Sequence, residues 1–374
     1  MDLKKEIKLS DLVPKGVSLK RKPAVKEVRR RPLPKEIVGL KIESASLTAA
    51  QVVNDTERSV VKLARAPLAS GVVNGGEVRD PVALGIALAE FFAANKLPRR
   101  GVRLGLGNSR IGVRIVEVPA IEDQAQLENA IRYRAHEILS ASLDDAVIDY
   151  HLLGTRVDEN GETLQSILLV VAYRESIDRY LAATDAAQID VVGIDLEAFA
   201  LLRATSMPQP EGEKLERALV VVSVDHERTT LAISDGVVCH FTRVLEWGDA
   251  NIDNAVARGL KITSAEAAEL RRDAGSDKAA AVREIVAHEL QTLVRELQSS
   301  LRFYQAQPKA LQIGMVLLSG VLADLDGFAD ELRGQLGMEL VVADPFTRVR
   351  IDDSVERPER PSELAVAIGL GIED

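Results

Sequence analysis

The sequence predicts an α/β protein whose core is built twice, with a small α+β block set into the first half. Three observations carry this. Residues 37–54 and 219–244 each read as a strand–turn–strand hairpin, and each is followed by further strands and helices. Hydrophobic residues make up 46% of the chain but aromatics only 3%, so the cores are filled by Leu, Val, Ile and Ala, as in strands buried beneath helices. A length of 374 residues suits two to four domains.

Taken in order, 37–54 alternates as a strand, a turn around 43–46 and a second strand. Residues 82–95 form a helix, with Pro81 suited to its first turn. The buried strand 102–106 stops at Gly107-Asn108-Ser109. Residues 111–118 alternate strongly and are ended by Pro119. The stretch 121–139 is helical, with Leu127, Ile131 and Ile138 on one side. Strands 147–153 and 166–172 are joined through Asn160-Gly161, a strong hairpin signal, and a helix follows over 175–187. Strand 189–194 and helix 196–203 resume the α/β order, and the polar run 208–214 is the best internal boundary. The second half offers the hairpin 219–236 and a third strand over 237–244. Helices follow at 249–260, 264–273 (Ser264 as N-cap) and 282–307. It ends with strand 311–318, helix 325–336, strand 340–342 and helix 361–370. The expected division is an arm at 1–36, a first core half at 37–110 and 189–210, and an insert at 111–188. The second core half takes 215–250 and 309–374, with a helical subdomain at 251–308.

Charge is unevenly spread. Residues 1–36 carry twelve Lys and Arg against five Asp and Glu, +7, which leaves −17 on the remainder of a −10 chain. Four prolines (Pro14, Pro23, Pro32, Pro34) and few apolar residues give this arm no core of its own. It reads as a solvated tail or as a contact for an anionic membrane surface. With no aromatic to stack on bases, and an acidic body behind it, nucleic acid is not expected as a partner. A single cysteine, Cys239, excludes a disulfide framework, and five scattered histidines make no metal site. No apolar run approaches the ~18 residues of a membrane span, and the N-terminus lacks a signal-peptide h-region. A cytoplasmic location is expected.

In this order the elements resemble the actin-like, ribonuclease H-fold ATPase superfamily, and more narrowly the PilM family of type IV pilus assembly, relatives of FtsA. The stretches VRIVEVPAIEDQAQLENAIRYRAHEILSASLDDAVIDYHLLG and ILLVVAYRESIDRYLAATDAAQIDVVGIDLEAFALLRA resemble the family's inserted subdomain and its return to the core. The resemblance covers about 36–372. It implies ATP and Mg²⁺ held by a D-x-G-S-S-like loop in the first hairpin and a matching loop in the second. Here the first loop reads LKIESAS: Lys41 stands for the acid and Glu43 for the glycine, while Ser44 and Ser46 keep hydroxyls. In the second, Ser223 stands for the acid and Asp225 for the glycine; a register shifted by two would instead make Asp225 the acid. The adenosine-side turn SGVLADL keeps Gly320, and the A-E-x-x-K pattern survives loosely as Glu269 and Arg271.

Glycine in such loops lets backbone N–H groups approach a phosphate. A carboxylate there adds bulk and like charge, and two like charges at 4 Å repel by about 1 kcal/mol in water-like dielectric and about 4 at an effective dielectric near 20. Lys41 either neutralises one carboxylate or meets a phosphate itself. The expectation is a degenerate nucleotide site and a scaffold role, with an active ATPase controlling assembly or polymerisation as the alternative. A kinase needs an acid where Lys41 and Ser223 stand, and no G-x-S-x-G supports a hydrolase. The resemblance further implies a PilN-like inner-membrane partner. Its N-terminal tail would lie in a groove between the first core half and the insert, lined by Ile111, Val113, Ile115 and the first hairpin. The arm's own EIKLSDLVP is a candidate to occupy that groove in the same or another copy, a route to self-association.

Overall fold

The computed structural model describes residues 34–138, 145–210, 213–273 and 276–373, without the side chains of 137 and 138. Most of the basic arm, and the Ile138 side chain assigned above to a helix face, lie outside them.

The first half opens with an antiparallel meander, β1 (Glu36–Ile42), β2 (Ser46–Val53) and β3 (Ser59–Pro67). A two-residue ribbon, β4 (Val73–Asn74) and β5 (Glu77–Val78), leads to α1 (Pro81–Ala94). Asp80 caps α1 by accepting from the backbone of Val82 and Ala83. Strand β6 (Val102–Leu106) then pairs parallel to β1. The insert follows: β7 (Gly112–Pro119), α2 (Gln124–Ile138), β8 (Ala146–Val157), β9 (Thr163–Tyr173) and α3 (Arg174–Ala186). Its strands form a separate sheet, order β7-β9-β8, whose buried face packs under α2 through Ile131, Ile167 and Leu169. Strand β10 (Val191–Leu196) returns beside β6, and α4 (Glu197–Thr205) follows directly.

The second half repeats the plan. Strands β11 (Ala218–Val224), β12 (Thr229–Ser234) and β13 (Cys239–Leu245) make the meander. Helices α5 (Asp249–Leu260), α6 (Ser264–Arg272) and α7 (Ala279–Gln305) come next, then β14 (Ile313–Ser319), α8 (Phe328–Leu336), β15 (Leu340–Val342) and β16 (Arg350–Ile351). A 3₁₀ turn (Pro361–Leu364) runs into α9 (Ala365–Gly371). The first sheet is ordered β10-β6-β1-β2-β3-β16 and the second β13-β12-β11-β14-β15. In both, the first strand is central, the meander lies to one side and two parallel strands to the other. The duplication read from two hairpins is therefore a duplication of sheet topology.

Some expectations need correction. Strand β3 was not assigned, because VVKLARAP mixes cations into the alternation, and β16 crosses back to pair with β3. The N-cap of α6 is Thr263, not Ser264; its hydroxyl accepts from Glu266 N while Glu266 returns the contact, a full capping box. Helix 325–336 starts only at Phe328, after a left-handed Gly327.

Helices α4 and α9 fill the layer between the two sheets, with Val52 and Leu219 on opposite sides of one apolar cluster. The fit is tight enough that a Cβ on Gly369 would overlap the Ala200 carbonyl. A buried helix end needs donors for its last carbonyls. Arg203 supplies Gly369 O (2.7 Å), Arg103 supplies Leu370 O and Ile372 O (3.1 and 2.8 Å), and Asn54 supplies Gly371 O (2.9 Å). Replacing Gly369 by Ala therefore lowers stability by about 1–3 kcal/mol, the usual range for an overpacked core, read as a lower urea midpoint at unchanged m-value.

Candidate functional site

Strands β1 and β11 lie in the centre of each sheet, each antiparallel to one neighbour and parallel to the other, and the turns after their C-terminal ends face each other across the cleft between the halves. The two loops singled out in the sequence meet there. The Lys41 ammonium lies 3.1 Å from Glu43 Oε1 and 2.8 Å from Asp225 Oδ1. Lys41 is 2% exposed, and Glu43 and Asp225 are equally buried. Ser223 Oγ donates to Asp225 Oδ2 at 3.1 Å. Of the two roles open to Lys41 in the sequence, the structure uses the first, and for both carboxylates at once.

A second charge pair lies beside the first. Arg228, at the end of the same turn as Asp225, reaches Glu197 at the start of α4, at 3.6 Å. Burial alone would push both cations down in pKa. For Lys41 the charge of Asp225, then those of Glu43 and Glu197, overcome this; for Arg228 Glu197 does so first, and both end above their usual values. Burial, with Asp225 close by, pushes the Glu43 carboxyl up to about 7. Two cations thus face three carboxyls in a space closed to solvent.

The backbone N–H groups of Glu43, Asp225 and Gly320 are committed within the protein. Glu43 N donates to Ser46 O and Asp225 N to Arg228 O, both at 2.9 Å. At the start of α5, Asp249 N and Ala250 N donate to Asp225 O and His226 O. Gly320, at φ 89°, lies so close to Val224 that a Cβ would strike its carbonyl, and its N–H goes to Ser362 O.

Next to the cluster is a cleft of about 230 Å³ with Glu43, Ser46, His226, Arg271 and Val321 among its walls. Arg271 donates to Asp253 Oδ1 (2.8 Å) and Asp249 Oδ2 (3.1 Å). His226 Nδ1 lies 2.6 Å from Asp249 Oδ1, and that bond raises the imidazole pKa. His226, next to Asp225 in the turn after β11, is thereby tied to α5. Glu269, grouped with Arg271 in the sequence, is exposed and does not line the cleft, and Ser44 does not either. Nothing in the sequence pointed to Arg228 and Glu197 as a pair. The only signal was an arginine set against two runs of strand residues.

A larger groove of about 610 Å³ lies between β7 and β13. Ile111 lines it with Arg110, Arg114 and Tyr173; Phe241, Arg243 and Phe303 form the opposite wall. The Arg110 guanidinium stacks 3.9 Å above the Tyr173 ring and pairs with Glu77 at 2.9 Å. Ser109 Oγ donates to Glu246 Oε1 at 2.9 Å, from one wall to the other. Val113 is buried and Ile115 half-buried, neither lines this groove, and its facing wall comes from β13 and α7 of the second half.

The family model for type IV pilus assembly protein PilM matches residues 39–374. The chain belongs to the PilM family. A solved PilM-PilN type IV pilus biogenesis complex contains a chain that is 25% identical, with a TM-score of 0.77, covering 90% of this chain and 98% of that one. Two more distant structures share the fold alone. The ethanolamine utilization protein EutJ from Carboxydothermus hydrogenoformans is 15% identical with a TM-score of 0.54, covering 91% and 90%. MreB5 of Spiroplasma citri, bound to AMPPNP, is 11% identical with a TM-score of 0.53, covering 90% and 95%. This PilM-family chain is accordingly an actin-like α/β protein of type IV pilus assembly. No described helix is long and apolar enough to cross a membrane.

Because burial raises the folded Glu43 carboxyl to about 7, above its ordinary 4.5, the native state binds more protons than the unfolded chain between those values. Glu43 therefore subtracts stability as pH rises through that window. Replacing it with Gln removes the loss. The variant should gain on the wild type by on the order of 2 kcal/mol between pH 5 and pH 8, measured by urea unfolding of both proteins at both pH values.

Proposed function

We propose that this PilM-family chain is a cytoplasmic scaffold of a type IV pilus or related secretion assembly. In this reading it sits at the inner membrane, binds the N-terminal tail of a PilN-like membrane protein, and has a degenerate nucleotide site. The observation that carries the second half is the Lys41 ammonium set between Glu43 and Asp225. ATP with Mg²⁺ brings a polyphosphate that needs free backbone N–H groups and a metal that needs free carboxylates. The residues present do not fit that pair. The N–H groups of Glu43, Asp225 and Gly320 are bonded within the protein. The carboxylates face the protein's own cations, and Glu43 would lie beside any phosphate entering the cleft. Adding 5 mM MgATP should move the thermal midpoint by less than about 1 °C, whereas a shift of several degrees would establish nucleotide binding, since a ligand of the native state stabilises it by mass action.

The partner reading is supported by the solved PilM-PilN complex, whose matched chain is 25% identical and covered over 98% of its length. The β7–β13 groove offers aromatic surface from Tyr173, Phe241 and Phe303 with guanidinium groups at its rim, suited to an extended apolar tail carrying an acidic residue or a carbonyl-rich turn. A synthetic peptide of such a tail should bind at micromolar or tighter affinity by calorimetry. Phe303→Asp should weaken it at least tenfold, because Phe303 is 52% exposed and contributes little to the core. An equal affinity in the variant would move the site elsewhere.

A further inference from the structure

The two halves exchange buried charges in both directions. Lys41 of the first reaches Asp225 of the second, and Arg228 of the second reaches Glu197 of the first. Arg228 is sealed between Gly76 and Gly107. A Cβ on Gly76 would overlap the guanidinium, and one on Gly107 would crowd the Glu197 carboxylate. Tyr180 closes the chamber by donating to Gly76 O at 3.1 Å, and Glu227 accepts from Gly75 N at 2.9 Å. Arg228 Nη1 finds no acceptor there, so the guanidinium is held mainly by charge and shape.

Both walls of the β7–β13 groove begin at this clasp. On one side Gly107 is followed by Asn108 and then Ser109, which lines the groove. On the other, Thr229 next to Arg228 pairs with Leu245 at the end of β13, and its hydroxyl donates to Trp247 O at 2.7 Å. Strands β7 and β13 are outer strands of different sheets with no ladder between them. Their separation is therefore set by how the halves sit, not by strand pairing.

We propose that the clasp, rather than a ligand in the cleft, fixes the closure of the two halves and through it the width of the β7–β13 groove, so that clasp integrity regulates partner affinity. This rests on the reading above for the occupant of the groove but not for the clasp itself. No chemistry is involved: the device is a two-state closure held by exchanged charges, and a partner that needs the narrow groove stabilises the clasped state in return.

The test uses the full chain with Asp225→Asn, which removes the cross-cleft anion while Lys41 keeps Glu43. Arg228→Lys is the second variant, keeping the charge but shortening the reach. Glu175→Gln, which breaks an exposed pair on α3 with Arg179, is the control. Amide hydrogen exchange is followed in segments 107–114 and 239–247, and tail-peptide affinity by calorimetry. Both clasp variants should exchange about tenfold faster in those two segments, with α2 and α8 unchanged, and should bind the tail peptide about tenfold more weakly. The control should match the wild type. Folded variants with wild-type exchange at both walls, or with a rise spread evenly over the chain, overturn the clasp. Faster walls with undiminished affinity overturn its link to the partner. Should the wild type itself bind no tail peptide, the partner assignment fails while the exchange data still decide the clasp.

Discussion

Burying an ammonium group costs several kcal/mol unless a partner meets it in good geometry. Lys41 meets two, one from each half of the molecule. That requirement fixes where the turn after β1 stands relative to the turn after β11. The turn after β11 in turn carries Arg228 to Glu197, His226 to Asp249, and the two carbonyls that receive the first N–H groups of α5. A well-packed apolar set of the same volume often stabilises a protein as much or more. What the charges add is selectivity: a slipped or splayed arrangement of the halves leaves an ion buried alone, at a cost of about 3–5 kcal/mol.

The fold was legible where one physical signal dominated. The two hairpins stand out because β-branched runs alternate with short polar turns, and the insert's hairpin because Asn160-Gly161 suits only a tight turn. Strand β3 escapes the pattern because Lys62 and Arg65 interrupt its apolar alternation, and β16 because two residues hold no pattern. In the site, the unusual identities of Lys41, Glu43, Ser223 and Asp225 were visible as departures from a family pattern, but their pairing was not. Arg228 and Glu197 come from different halves, and no spacing rule links them. Glu269 was grouped with Arg271 by motif, yet Ala268, Arg271 and Arg272 share the cleft face at helical spacing and Glu269 is turned away by about a quarter of a circle.

The two sheets also show how a duplicated plan is put to different uses. In the first, a small sheet with its own helix is set between β6 and β10; in the second, three helices are set between β13 and β14. The additions leave β7 and β13 as neighbouring unpaired edges. Unpaired edges invite association, and this one is guarded by charged residues: Arg114 donates to its own Val113 carbonyl, and Arg110 and Arg243 are held at the rim by Glu77 and Glu296.

The central layer has a consequence for how the molecule is made. Strand β16 closes the far edge of the first sheet, and α9 covers the face that includes Ala50 and Val52. Both come from residues 350–371, far along the chain from the strands they complete. As the polypeptide leaves the ribosome, the first sheet emerges well before these two elements and waits, with that apolar face bare, until residues 350–371 have been made. Long-range closure of this kind slows folding and leaves sticky intermediates exposed. The meander β1–β2–β3 is therefore a natural early client for chaperones, and a chain cut short before residue 350 would lack the pieces that complete its first half, however intact that half looks in sequence.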